Sequence, residues 1–390
     1  MIFIPHYQKS SIEFANSFYI MGLKYNFAPV KKVLCISNLN KLSIHFMRKI
    51  RFTFFCLLLT TFFVQAQDQH FTQFYASPLT LNPALTGAFN GKYRANAIYR
   101  DQWRNALDDP YVTFSSAIDV RFDVELDSRY KDAFAVGLMF FNDDVSSVDF
   151  STNQIAISGA FHKGIDFDKT QFLSVGFQGA LAQRNINYEN LIFDDQFNEI
   201  DAFDFATGED LPENNFTFSD LSVGINYTYA PAHQTSFFAG FAMHHVLQPQ
   251  VTFYSPENNG DSKLFTKYSG QLSASIPLTD LVSISPRFLI ASQGSHLEMN
   301  TGANIRVQLN DFGSTSFHLG SWVRPVGNDD DSISLDAIVL MAGIEINAVV
   351  VGLSYDLNLS NISTARQGAF ELSITYLGES DDDSIMCPKF

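Results

Sequence analysis

The sequence predicts an all-β protein, a transmembrane antiparallel β-barrel of about fourteen strands. Three observations carry that reading. The first is a run of strict alternation from Leu297 to Leu309, where Leu297, Met299, Thr301, Ala303, Ile305, Val307 and Leu309 are apolar or small. The positions between them, Glu298, Asn300, Gly302, Asn304, Arg306 and Gln308, are polar or glycine. A strand sends successive side chains to opposite faces, so this one has an apolar face and a wet face. Its 13 residues exceed the usual soluble strand of about 5–6 and suffice for a tilted bilayer crossing, which takes about 9–11. The second observation is recurrence, since the pattern returns down the chain. The third is a mean hydropathy close to zero with 46% hydrophobic and 17% charged residues, as expected when half of every strand faces a polar interior. The 39 Phe and 15 Tyr suit strands and membrane-interface belts.

In chain order, Met47 to Ala66 has the three parts of a secretory signal peptide: Arg48, Lys49 and Arg51, then an apolar core from Phe52 to Val64, then Val64-Gln65-Ala66 before Gln67. The rival reading, a membrane anchor, needs about 20 apolar residues and the core has 13. Cys56 follows no small residue, which argues against a lipoprotein site. Residues 1–46 lack any strand or helix period and read as an upstream extension of the frame, or else as a genuine long leader. Both 1–46 and 47–66 are set apart from the fold. Taking the net +7 of residues 1–66 out of the formal −16 leaves −23, and so acidic a chain has no basic patch for nucleic acid. It also keeps a single cysteine, Cys387, so no intrachain disulfide is expected.

Residues 67–91 are expected to form an N-terminal segment at the periplasmic mouth, 92–377 the barrel, and 378–390 a tail. Alternating segments fall at 92–100, 111–122, 133–141, 153–162, 171–182, 221–229, 236–246, 267–277, 281–291, 297–309, 315–324, 334–346, 349–359 and 369–377. No run of 18 apolar residues exists, and 333–355 is broken by Asp336, Glu345 and Asn347 into two strands. A closed barrel is the remaining backbone arrangement that satisfies its own hydrogen bonds in lipid. The links agree: with periplasmic termini the longest, 183–220, falls outside and the tight Asn347-Ala348 turn inside. Links 123–132 and 163–170 are long for inner turns, and 292–296 is short for an outer loop.

The search for chemistry finds little. No G-x-S-x-G, H-E-x-x-H, P-loop or C-x-x-C motif occurs, so no enzyme, cofactor or metal is expected. The acidic loop with Asp194, Asp195, Glu199, Asp201, Asp204, Glu209, Asp210 and Glu213, and the run Asp329–Asp331, lack the ligand ladder of a Ca²⁺ loop and read as solvated tips. Adjacent His244 and His245 should point to opposite faces and form barrel wall. Glu298 and Arg306 should belong to a lumen charge lattice.

Two stretches are not generic. From Gln67 to Gly87, Pro78 and Pro83 fix extended backbone, Gly87 permits a turn, and Gln73 and Asn82 can bond a backbone without a sheet partner. Such a segment, rich in aromatics, packs more readily than it disorders. Tyr99-Arg100-Asp101-Gln102-Trp103 then closes the first strand with belt residues. The pattern Gln-x5-Gln-x4-Pro-x3-Asn-Pro-Ala-x2-Gly, followed by Tyr-Arg-x-Gln-Trp, resembles the PorP/SprF family of outer-membrane proteins of the type IX secretion and gliding machinery. Leu221–Tyr227 and the closing Cys387-Pro388-Lys389-Phe390 are similar to that family too, and the likeness runs through 67–390.

The resemblance implies a fourteen-strand barrel similar to fatty-acid-channel barrels, in the outer membrane, with both termini periplasmic. It implies no catalytic residues, but a role in export or surface anchoring of adhesin-type cargo carrying a type IX C-terminal signal. Periplasmic ring or motor-linked components would be further partners. The signature positions, as a plug or partner site, are Gln73, Pro78, Asn82, Pro83, Gly87, Tyr99, Arg100, Gln102 and Trp103. The rival functions are a channel for hydrophobic small molecules and a secreted soluble β-protein.

Overall fold

The computed structural model describes residues 68–378, apart from 105–109, 125–128, 146–148, 190, 199–201, 232–233, 255–261, 310–314, 328–331 and 360–367. The expected leader, signal peptide and all but the first residue of the tail, with Cys387, lie outside the described residues.

Strands β1 (Tyr93–Gln102), β2 (Tyr111–Val124), β3 (Asp132–Val145), β4 (Phe150–Gly164) and β5 (Gln171–Ile186) open the wall. It continues through β6 (Asn215–Tyr229), β7 (Ser236–His244), β8 (Lys267–Pro277), β9 (Val282–Gln293) and β10 (His296–Gln308). Strands β11 (Thr315–Gly327), β12 (Ile333–Ile346), β13 (Val349–Asn358) and β14 (Gly368–Gly378) complete it. Each strand pairs antiparallel with its chain neighbours, and β1 pairs with β14 from Tyr93↔Gly378 to Gln102↔Ala369, so the barrel of fourteen strands is closed. Closure removes every sheet edge.

The alternation read from the sequence sets the two faces. In β5, Ser174, Gly176 and Gln178 point inward and are buried, while Leu173, Val175, Phe177 and Leu181 face out and are exposed. In β10, Glu298, Asn300 and Asn304 are buried, and Ile305 and Val307 are exposed. Exposed Ile, Leu, Val and Phe recur on the outer face of most strands, where a soluble protein would expose apolar residues singly. The outer face is therefore built for hydrocarbon, and the soluble reading is overturned.

Strands β3 to β6 run past their expected limits at one end: β3 to Val145, β4 from Phe150, β5 to Ile186 and β6 from Asn215. The reason is a change of phase. In the first part of β6, Phe216 and Phe218 point inward and stack at 6.0 Å, while Thr217 and Ser219 face out. There the outer face is polar, so the apolar-out rule that marks a spanning strand no longer applies. Links 187–214 and 245–266 leave from this end, termed the long-loop end, and Asn347-Ala348 closes β12–β13 at the other, the short-turn end. Gly294-Ser295 is a two-residue turn at the long-loop end, with Gly294 at φ +58°.

Candidate functional site

The lumen is occupied by the chain's own N-terminal segment. Asp68 bonds Gln293 and His245 at the long-loop end, whereas Gly91 lies beside Gly378 at the short-turn end. The segment thus runs the length of the barrel, and the expectation that it sits in one mouth is corrected. For the same reason the two ends of the described chain lie at opposite ends of the barrel. Along its path it makes a 3₁₀ turn at Phe74–Ala76, one helical turn at Pro78–Leu81 and a second 3₁₀ turn at Pro83–Leu85. Pro78 and Pro83 each occupy a first turn, where the missing N–H costs nothing.

Near the long-loop end the segment is held by charge. Glu371 accepts the backbone N–H of Thr72 at 2.7 Å, the N–H of Gln73 at 2.8 Å and Arg100 Nη1 at 2.5 Å. Asp356 accepts Thr72 Oγ1 at 2.8 Å, and Arg100 and Arg324 at 3.2 and 2.9 Å. Arg324 Nε reaches Asp336 at 2.9 Å. The Gln73 amide donates to Ser354 Oγ and accepts from Ser373 Oγ. Segment backbone donors that have no sheet partner thus receive charged acceptors from the wall.

Around it, Arg306 pairs with Glu345 at 2.8 Å, an ion pair inside the lumen, and His70 Nδ1 lies 3.2 Å from Glu298 Oε2. Burial, then Arg324 and Arg100, push His70 well below its ordinary pKa. Arg287 lies 3.8 Å over the Tyr75 ring, and burial raises the Tyr75 phenol above its usual range.

The middle of the segment is held by shape. Gly176 and Gly224 are directly paired across β5 and β6, and a side chain on either would collide with Pro83, Ala84 or Asn82. Gly240 clears the same notch on β7. With no side chains in the way, Asn82 Nδ2 reaches the strand carbonyls of Ile225 and Phe241 at 3.1 and 3.4 Å. Its Oδ1 caps the next turn by accepting the Ala84 N–H at 2.9 Å. Leu79, fully buried, packs with Ala117, Met139, Ala156 and Ala180 from β2 to β5.

At the short-turn end Arg94 and Asp119 form a two-pronged pair, Nε–Oδ1 3.0 Å and Nη2–Oδ2 2.7 Å. Asp119 also takes the Gly87 N–H at 2.7 Å. Gly87 needs φ +74°, and a Cβ there would collide with Ala135. His162 bridges Ser174 Oγ and the Thr86 carbonyl, each at 2.7 Å.

Of the signature residues, Gln73, Pro78, Asn82, Pro83 and Gly87 lie in the threaded segment. Arg100 points in from β1 and Tyr99 faces out. Gln102 accepts from Arg100 Nε at 3.3 Å. Trp103 follows β1 at φ +63°, donates its backbone N–H to the Gly368 carbonyl and meets Tyr111 edge-on at 5.1 Å. The sequence reading missed Arg324, Asp356 and Glu371, which complete the clamp; their inward register was legible, their meeting was not.

The two histidines are corrected as well. His244 ends β7, but His245 adopts φ +56°, which breaks the alternation and turns both rings into the lumen. His244 Nε2 lies 3.3 Å from the Leu81 carbonyl. His245 sits between Asp220 at 3.0 Å and Asp68 at 2.6 Å. Burial pushes His245 down, but the carboxylates of Asp68 and Asp220 outweigh it and hold its pKa at about 9. Lys267 and His245 in turn overcome the effect of burial on Asp68 and hold it far below the usual carboxylate range. Among the described residues no group of three or more His, Cys, Asp or Glu is arranged to hold a metal.

Two of the spaces left beside the segment measure about 90 Å³ each. Fold and site together define a membrane β-barrel whose lumen is filled by its own N-terminal segment. The sequence profile of the type IX secretion system membrane protein PorP/SprF matches residues 63–376, and the chain belongs to that family. No curated protein matches it. Solved structures with a similar barrel include the toluene transporter TbuX of Ralstonia pickettii, at 11% identity and TM-score 0.43, covering 78% of this chain and 94% of that one. The monoaromatic hydrocarbon channel CymD matches at 12% identity and TM-score 0.45, covering 78% and 92%. A Pseudomonas aeruginosa FadL homologue matches at 9% identity and TM-score 0.45, covering 76% and 92%.

Proposed function

We propose that this chain is a non-enzymatic barrel of the outer membrane, delivered there by the signal peptide at 47–66. It assists export or surface anchoring of large adhesin-type cargo bearing a type IX C-terminal signal, and links that cargo to periplasmic ring or motor-linked components. The observation that carries the reading is the filled lumen. A segment clamped by Arg100, Arg324, Asp356 and Glu371 makes the barrel a rigid platform instead of a conduit, with its longest links at one end for a partner to meet. The alternative, a channel for hydrophobic small molecules, requires the clamped segment to leave the lumen, and so stands second.

Deleting the gene should remove one or a few specific surface proteins while general secretion continues, and a tagged barrel should co-purify with the lost protein. An unchanged surface proteome in the deletion strain would overturn the reading. Uptake of hydrophobic solutes by the purified barrel, without any protein partner, would favour the channel.

A further inference from the structure

Arg184 is a cationic side chain in the long-loop half of the lumen that takes no part in the clamp. It points inward from β5 into a cavity of about 90 Å³ between the wall and the start of the threaded segment. Its guanidinium lies 5.7 Å from the centre of the Phe218 ring, and its Nε is buried without a hydrogen-bond partner. The clamp arginines Arg100 and Arg324, by contrast, each carry carboxylate partners. The two carboxylates whose charge reaches Arg184, Asp68 and Asp143, are committed elsewhere. Asp68 holds His245 at 2.6 Å, and Asp143 takes Thr113 at 2.7 Å and Gln69 at 2.6 Å.

Two more groups converge on the same space. Thr152 of β4 is paired directly across from Arg184, and Gln154 lies two residues on, so both point to the lumen side of the strand. Both line the cavity. An unpaired guanidinium flanked by a hydroxyl and an amide is the donor set that a carboxylate accepts, with the fork of the arginine fixing its orientation. Phe218 and the buried Leu264 supply an apolar floor beside it.

We propose that this cavity binds a carboxylate carried on an apolar group, with Arg184 as the anchoring cation and Thr152 and Gln154 as flanking donors. The ligand chemistry is that of a peptide ending in an apolar residue, or of an acidic side chain beside one. This site stands independently of the cargo reading, because it is defined by binding in the purified protein and that reading by a deletion phenotype.

The test uses the full chain purified in detergent and three probes measured by calorimetry. They are N-acetyl-glycyl-phenylalanine with a free carboxylate, the same dipeptide as its amide, and N-acetyl-aspartyl-phenylalanine amide. The free acid, the aspartyl amide or both should bind roughly tenfold more tightly than the neutral amide, the weight of one charge-assisted pair. Which of them binds tells a chain end from a side chain. Arg184→Gln should remove that preference, Arg184→Lys should restore part of it, and Thr152→Val should weaken binding severalfold. Each variant must keep the heat-modifiable migration of the folded barrel. Equal binding of acid and neutral amide, wild-type affinity in Arg184→Gln, or no binding of any probe at millimolar concentration would each overturn the proposal.

Discussion

The threaded segment is held in two different ways at two of its levels. At Thr72–Gln73 the wall offers charge: Glu371 takes two backbone N–H groups and an arginine, and Asp356 takes Thr72 with two arginines. At Asn82–Ala84 the wall offers absence: Gly176 leaves room for the Pro83–Ala84 backbone, and Gly224 and Gly240 leave room for the Asn82 side chain. A buried ion lattice is a poor source of net stability but penalises any arrangement that leaves one member alone. A glycine notch works through shape and admits one contour. The first fixes the segment's register along the barrel, and the second fixes its depth against the wall.

The largest expected effect comes from breaking the clamp. Glu371→Ala leaves Arg100 buried with a weakened partner set and two backbone N–H groups unanswered, and should cost about 3–5 kcal/mol. The temperature at which the folded form is lost on semi-native gels should fall, and protease should cut near residues 68–77 in the variant alone. If Glu371→Ala melts with the wild type, charge does not hold this level.

Filling the notch should matter less. Gly176→Ala pushes a methyl group into the Pro83–Ala84 backbone and should cost about 1–3 kcal/mol. Its protease sensitivity should appear around 78–87 while the 68–77 region stays protected. Cleavage at both levels together would show that clamp and notch act as one unit. Asn82→Ala loses the cap and the two strand-carbonyl bonds, and should cost about 1–2 kcal/mol with the same local pattern.

The smallest effect is one of pH at the Asp68 end. His245 is raised from 6.5 to about 9, so its protonated form contributes stability that is fully present below about pH 6.5. That contribution fades as pH rises through about 9. Between pH 7 and 10 the first residues of the segment should loosen, read as faster amide hydrogen exchange corrected for the intrinsic rate, and His245→Gln should flatten the change. A loosening on acidification across this window would contradict the sign.

How far the fold was legible depends on how local its signal is. All fourteen strands were placed because each carries its own period of two, written wherever one face meets hydrocarbon and the other water. The early strand ends at β3 and β6 were missed where that contrast reverses, at Phe141–Asp144 and Phe216–Ser219. Gln73 and Asn82 could be marked as backbone partners, since a polar residue in a segment without sheet neighbours has few other uses. Their partners could not be named: Thr72 and Glu371 stand 299 residues apart.

By itself, then, the sequence determined the wall: its strand count, its two faces and its signature segment, because those follow from the solvent on each side of a short stretch of chain. Only the tertiary structure decided that the segment threads the whole lumen, that Arg100, Arg324, Asp356 and Glu371 meet around Thr72, and that His244 and His245 turn the same way. Those outcomes depend on closing β1 onto β14 and on a positive φ at a single residue, neither of which leaves a periodic trace.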